Sequence, residues 1–121
     1  MEQILVVDDD RDILDALQFV LEDSGYTVKT CQNGEFALSL SDATSFPNLI
    51  ILDVLLSGKD GRDICRKLKH DKRTKHIPIV MISAHPMVKE SVLSSGANTF
   101  IPKPFDISLL LSTISRALAI Y

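Results

Sequence analysis

The stretch ILVVDDD, Ile4 to Asp10, decides how this chain is read. Three of its four apolar residues, Ile4, Val6 and Val7, are β-branched, and the run does not alternate with polar residues. That pattern belongs to a strand buried on both faces, the condition of strands in a parallel sheet. Three consecutive carboxylates follow at once. Adjacent carboxylates repel one another and resist leaving water. Placing the densest negative charge at the end of the most buried strand is costly for packing alone, so the acids need another reason.

Outward from this stretch the chain alternates. Further strand-like runs lie at Thr27–Cys31, Leu49–Leu52, Ile79–Ser83 and Thr99–Ile101. Between them run helical patterns. The first carries Ile13, Leu17, Val20 and Leu21, with Asp10 or a neighbour as cap and Gly25 in the left-handed position past its end. The second follows Asn33-Gly34 with Phe36, Ala37 and Leu40. The third follows Asp60-Gly61 with Ile64 and Leu68. The fourth spans Pro86 to Ser95 and stops at Gly96, held by Val88, Val92 and Leu93. The last runs from Asp106 to Ile120. Strand then helix, five times over, predicts an α/β fold: a doubly wound parallel sheet with helices on both faces.

Length and composition narrow the function. At 121 residues the chain is one domain, 1–121, with enough residues for a core. A net charge of −3 offers no basic footprint for nucleic acid and no polybasic membrane signal. Asp8 to Asp10 interrupt the apolar run too early for a secretory signal, and no stretch approaches the ~20 apolar residues of a membrane span. Cys31 and Cys65 lack metal-ligand spacing and read as buried or half-buried free thiols of a cytoplasmic protein.

In an open parallel sheet, ligands bind beyond the carboxyl ends of the strands, where the strand order reverses. Asp8 and Asp9 stand at that end of the first strand. In LIILDVLL, Asp53 stands at that end of the third. With the two strands adjacent, three carboxylates converge. Oxygen ligands of this kind suit Mg²⁺, which takes one or two protein carboxylates and keeps room for phosphate oxygens. The fourth strand ends in Ser83-Ala84, a hydroxyl donor, and the fifth leads to Lys103, a cation. A dication, a hydroxyl and an ammonium are the electrostatic parts that phosphoryl transfer uses, with Asp53 as the nucleophile that forms an acyl phosphate.

The segments ILVVDDD, IILDVLLSGKDG, MISA and IPKPF, in this order and spacing, resemble the receiver domain of bacterial two-component response regulators over essentially the whole chain. The resemblance implies a flavodoxin-like (βα)5 fold with strand order 2-1-3-4-5. It implies that Asp53 accepts a phosphoryl group from a sensor histidine kinase or phosphotransfer protein. Mg²⁺ is then held by Asp9, Asp53 and the backbone carbonyl of Leu55, with Asp8 acting through water. Ser83, its neighbour Ala84 and Lys103 form the phosphoryl-binding group, and Phe100 takes the aromatic switch position. Leu55 and His85 fall where the family tunes dephosphorylation. Such a domain promotes its own phosphorylation and dephosphorylation but is not a classical turnover enzyme. Its signal leaves through the face of the fourth helix, fifth strand and last helix, toward a second copy or an output domain. The Lys103-Pro104 bond resembles the family's cis peptide. Ser57, in place of the usual proline after the acceptor, implies a looser loop.

Structural readings compete at several positions. Asp10 reads as a cap, Asp12 as a partner of the helix dipole and Asp60 as a second cap. RKLKHDKRTKH, Arg66 to His76, reads as a solvated face without interleaved aromatics, not a direct nucleic-acid site. Phe100 reads equally as core, and His85 as a rim residue of either kind. In the last helix, Ile107, Leu110, Ile114 and Leu118 form the expected buried stripe. Leu109, Ile120 and Tyr121 are then an apolar contact surface or part of a wide stripe. Three other functions fit parts of the pattern: a Mg²⁺-dependent phosphatase with an aspartyl nucleophile, a flavin carrier, and a degenerate receiver that only binds. The first leaves Asp53 unexplained. The second needs a phosphate cradle where Asp8 to Asp10 would repel it. The third leaves Ser83 and Lys103 unexplained.

Overall fold

The structure, a computed structural model, describes residues 2–39, 45–56 and 58–120. Leu40, Ser57 and Tyr121, to which the sequence assigned roles, lie outside the described residues. Five strands, β1 (Gln3–Val7), β2 (Thr27–Cys31), β3 (Leu49–Asp53), β4 (Ile79–Ser83) and β5 (Thr99–Pro102), pair in parallel in the order β2-β1-β3-β4-β5. The helices are α1 (Arg11–Asp23), α2 (Gly34–Leu38), α3 (Gly61–His70), α4 (Lys89–Ser94) and α5 (Ile107–Ile120). A single 3₁₀ turn, Pro86–Val88, leads into α4. The strand order reverses between β1 and β3, as the doubly wound reading requires.

Side chains alternate across each strand, so one period-two pattern builds two cores. Ile4, Val6, Leu49, Ile51, Val80, Ile82 and Ile101 face α1 and α5, which contribute Leu14, Leu17, Leu21, Leu110 and Ile114. Leu5, Val7, Ile50, Leu52, Ile79 and Met81 face the other helices, which contribute Ala37, Ile64, Leu68 and Val92. Every residue of β3 and β4 is buried, in keeping with their apolar runs.

Helix ends obey the local chemistry. Asp10 caps α1 by accepting from the amides of Asp12 and Ile13, and Gly25 follows at φ 98°. Asn33 caps α2 through the Phe36 amide, and Asp60 caps α3 through the Arg62 amide. Gly96 turns the chain past α4 at φ 102°. The Lys103-Pro104 bond is cis.

Two expected anchors are exposed. Ile107 is 52% accessible. It opens α5 directly after the strand-end loop, at the rim, and burial begins one turn later at Leu110 and continues through Thr113 and Ile114. Leu93 is 42% accessible, because the inward face of α4 is set by Val88, Val92 and Ser95, four and three residues apart. Residues on either side of Ser57 pair with one another. Leu55 and Leu56 pair antiparallel with Asp60 and Lys59.

The basic segment is largely the solvated face expected, with two additions. Lys69 is half-buried and donates to the Ile77 carbonyl at 2.7 Å, and burial lowers its pKa. Phe46, distant in sequence, supplies an aromatic: its ring meets His76 edge-on at 6.0 Å and lies 5.7 Å from the Arg73 guanidinium. Both cysteines are free thiols, Cys65 buried and Cys31 half-buried.

Candidate functional site

The parallel register delivers the ends of β1, β3, β4 and β5 to one edge of the sheet. Asp8 follows β1 immediately and is fully buried, while Asp9 is exposed and Asp10 is occupied as the α1 cap. The Asp8 side chain is fixed twice. Its Oδ1 accepts from the Asp10 amide at 2.9 Å and its Oδ2 from Lys103 Nζ at 3.0 Å. Asp53, the last residue of β3, is 6% accessible, and its Oδ1 lies 3.4 Å from the same Lys103 Nζ.

Carboxylate oxygens of Asp8, Asp9 and Asp53 all lie within 4.8 Å of one another. Burial, then the charge of Asp8, pushes the Asp53 carboxyl up to about 6 from 3.8, against the pull of Lys103. Burial pushes Lys103 down, but its hydrogen bond to Asp8 and the charges of Asp53 and Asp8 outweigh this, and its pKa is raised. One ammonium therefore serves two buried carboxylates beside a third acid, and the cluster carries excess negative charge. Oxygen-only donors this close suit a hard divalent cation.

Ser83 ends β4 and is buried. Its Oγ accepts from the His85 amide at 3.0 Å, so the hydroxyl opens the loop that leads into α4. Its carbonyl accepts from the Lys103 amide at 2.8 Å, which ties the two strand ends together. Ala84 and His85 are exposed at the rim. Leu55 begins the short ladder two residues beyond Asp53, with its side chain 53% exposed. Phe100 stands on β5 opposite Met81, half-buried against the core that also holds Val92. Of the residues singled out from the sequence, Asp8, Asp9, Asp53, Ser83 and Lys103 thus gather at one end of the sheet. Phe100 lies below them on the α4 side.

Three supporting residues escaped the sequence reading. Gly61 donates its amide to Val54 at 2.6 Å, and a Cβ there would collide with the Asp53 carbonyl, so glycine is needed for the chain to pass behind the acid. The pair Asp60-Gly61 was legible only as a helix start. Gln32 accepts from Arg11 at 3.2 Å and donates to the Asp9 carbonyl at 3.4 Å, bracing the acidic turn from the loop after β2. Arg62 binds Asp60 and reaches Ser91 in α4. Contacts across 23 and 29 residues leave no local periodicity to read.

Comparison with known proteins places this arrangement. The sequence profile of the response regulator receiver domain matches residues 4–115. The response regulator PleD of Caulobacter vibrioides is 40% identical over 114 residues, covering 93% of this chain and 25% of PleD. The chain spans half or less of the length of the curated relatives it matches. The receiver domain of a signal transduction histidine kinase from Syntrophus aciditrophicus superimposes with a TM-score of 0.89 at 32% identity, covering 98% of this chain and 91% of that one. The receiver domain of the sensor histidine kinase PA1611 from Pseudomonas aeruginosa, solved with a magnesium ion in its active site cleft, gives 0.88 at 23% identity over 98% of both chains. By fold, by profile and by the acids at the switch point, the chain belongs to the response regulator receiver domain family, the phosphoacceptor domains of two-component signalling.

Proposed function

We propose that Asp53 is the phosphoacceptor of this receiver and that Asp9, Asp53 and the Leu55 carbonyl hold a Mg²⁺ ion beside it, with Asp8 acting through water. The observation that carries this reading is the convergence of Asp8, Asp9 and Asp53 within 4.8 Å, opposite Lys103. The donor set fits the ion: oxygen atoms only, with a carboxyl held near 6 by burial and a like charge. When bound, the ion supplies positive charge against the phosphoryl oxygens.

The chain's own residues do the rest. The Asp53 carboxylate attacks the phosphorus of a kinase phosphohistidine, the N–P bond breaks, and an acyl phosphate forms. Lys103 and the Ser83 hydroxyl take the phosphoryl oxygens. For this, Lys103 exchanges part of its hold on Asp8, and Ser83 releases the His85 amide. That release is the mechanical output, since it frees the loop into α4. Phe100 then takes up the space opened on the α4 side, and His85 and Leu55 at the rim set how readily water reaches the acyl phosphate.

The domain is a phosphoacceptor that turns over only its own acyl phosphate, so it hydrolyses free phosphate esters no faster than buffer does. Its upstream partner is a histidine kinase or phosphotransfer protein. Downstream, α4, β5 and α5 offer Ile107 and Leu109, 52% and 45% exposed, to a second copy or an output domain. Among the described residues no helix is long and apolar enough to cross a membrane. With a cytoplasmic kinase as donor, the domain works in the cytoplasm.

The test is intact-mass spectrometry with a small-molecule phosphodonor. One added phosphoryl group is expected, dependent on Mg²⁺ and lost in Asp53→Ala. An equal yield in Asp53→Ala would end the assignment.

A further inference from the structure

Two helices on the same side of the sheet are joined by one guanidinium. Arg62, in the first turn of α3, clasps the Asp60 carboxylate. Its Nε lies 2.9 and 3.2 Å from the two carboxylate oxygens and its Nη2 2.6 Å from Oδ2. A planar guanidinium held in this way has its remaining donors aimed. Nη1 points at α4 and donates to Ser91 Oγ at 2.9 Å. The Ser91 hydroxyl donates onward to the Val88 carbonyl at 2.9 Å.

That last bond lands where α4 is weakest. Val88 is its N-cap residue, and no side chain among the described residues accepts from the first amides of α4. The α-helical part is six residues long and is preceded by a 3₁₀ turn. Isolated helices this short do not hold their shape in water. Here the first turn is kept by Val92 beneath it and by the Ser91 hydroxyl, which Arg62 orients by occupying the oxygen's acceptor side. The other end of this relay is anchored next to the acid site. Asp60 belongs to the ladder that begins at Leu55, and Gly61 packs behind the Asp53 carbonyl.

We propose that Arg62 is a latch: bolted to Asp60, it holds the first turn of α4 through Ser91 in the position seen here and sets how readily that helix shifts. The latch works against the pull on Ser83, which reaches the same first turn of α4 through the loop after β4. That α4 answers to phosphorylation rests on the phosphoacceptor reading; the latch itself rests only on the Asp60–Arg62–Ser91 geometry.

The experiment uses residue-resolved amide exchange on the full chain, first without phosphodonor. Alanine is a better helix former than serine, so propensity alone makes Ser91→Ala slow exchange in α4. The latch predicts the opposite. Ser91→Ala and Arg62→Ala each speed exchange over residues 89–96 by about three- to tenfold, as expected for one lost hydrogen bond that is exposed to solvent and so worth no more than an ordinary neutral one. The double variant does no more than either single one, because both remove the same bond. Ser94→Ala, an exposed serine of the same helix, does not speed exchange, and α1 is unchanged in all variants. Asp60→Asn keeps the cap of α3 but loosens the clasp, and falls between wild type and Arg62→Ala. Exchange in Ser91→Ala equal to or slower than wild type, or effects of Arg62 and Ser91 that simply add, would overturn the latch.

Phosphodonor and Mg²⁺ are then added to the same samples, with phosphorylation read by intact mass. In phosphorylated protein the further change in α4 exchange is smaller in Ser91→Ala than in wild type. An equal further change would show a structural bond that regulates nothing, and the proposal would fail. A wild-type chain that takes no phosphoryl group defeats the phosphoacceptor reading instead, and leaves the first measurement to decide the latch.

Discussion

Helices α1 and α4 pack on opposite faces of one sheet and are built to opposite standards. α1 has thirteen residues, a carboxylate cap bonded to two amides, a glycine past its end and three buried leucines, Leu14, Leu17 and Leu21. α4 has six residues, a 3₁₀ entry, no side-chain cap among the described residues and one fully buried anchor, Val92. Both follow directly from strand ends of the acid site: α1 from the turn that holds Asp8 and Asp9, α4 from the loop that Ser83 opens. The difference teaches where a domain of this size places its give. The side that must hold two carboxylates in register is locked, and the side that carries the hydroxyl is left marginal, as responsive elements are drawn from the low-stability end of a structure.

The comparison breaks most easily in the cores. Leu17→Ala is expected to cost about 2–5 kcal/mol of global stability, seen as a lower urea midpoint with an unchanged slope. A cost below 1 kcal/mol would mean that α1 is not the rigid side. Asp53→Asn should act in the other direction. The folded carboxyl sits near 6, above its ordinary 3.8, so the folded state holds a proton that the unfolded chain has released between those values. The stabilising contribution of that proton is complete below pH 4 and lost as pH rises through about 6. Measured in chelator, Asp53→Asn is therefore more stable than wild type by about 2 kcal/mol at pH 7, and the gain shrinks toward pH 4. A gain that is the same at both pH values would remove the titration from the account.

Smaller effects sharpen the contrast. Val92→Ala removes the one fully buried anchor of α4 and should cost about 1–2 kcal/mol, expressed mainly as faster exchange in residues 89–96 rather than as a shifted global midpoint. Asp10→Ala removes the α1 cap and should cost about 1 kcal/mol, with fraying confined to the first turn. It should also leave Mg²⁺ affinity nearly intact, whereas Asp9→Ala weakens it strongly, as isothermal titration would show. Equal losses would mean that Asp10 faces the pocket after all.

Most of this architecture was legible because its signals are local. Ile4–Val7, the run around Ile50–Leu52 and Ile79–Ser83 carry their burial in consecutive residues. Asp10, Asp60, Gly25 and Gly96 mark helix ends by short-range chemistry. The acids Asp8, Asp9 and Asp53 were readable as a cluster once the parallel sheet placed β1 beside β3. What the pattern could not carry was distance. Helical periodicity gives the phase of a buried stripe but not where the sheet beneath it stops, so Ile107 was placed inside and lies at the rim. In α4 a run of two adjacent apolar residues, Val92 and Leu93, leaves the phase open by one position, and packing chose Val92. Which acid is buried against Lys103 was equally open, because Asp8 and Asp9 differ only in the side of the strand end they occupy. The Asp60–Arg62–Ser91 tie joins two helices by side chains that look like ordinary surface residues one at a time.

Amide exchange across the whole chain, with and without Mg²⁺ and a phosphodonor, tests the central claim most directly. Phosphorylation of Asp53 should alter exchange over residues 86–101, through Ser83 and the α4 entry, while α1 stays as protected as before, and Asp53→Ala should show neither change. Unchanged protection over residues 86–101 in protein that carries the phosphoryl group, or the same response in Asp53→Ala, would contradict the account.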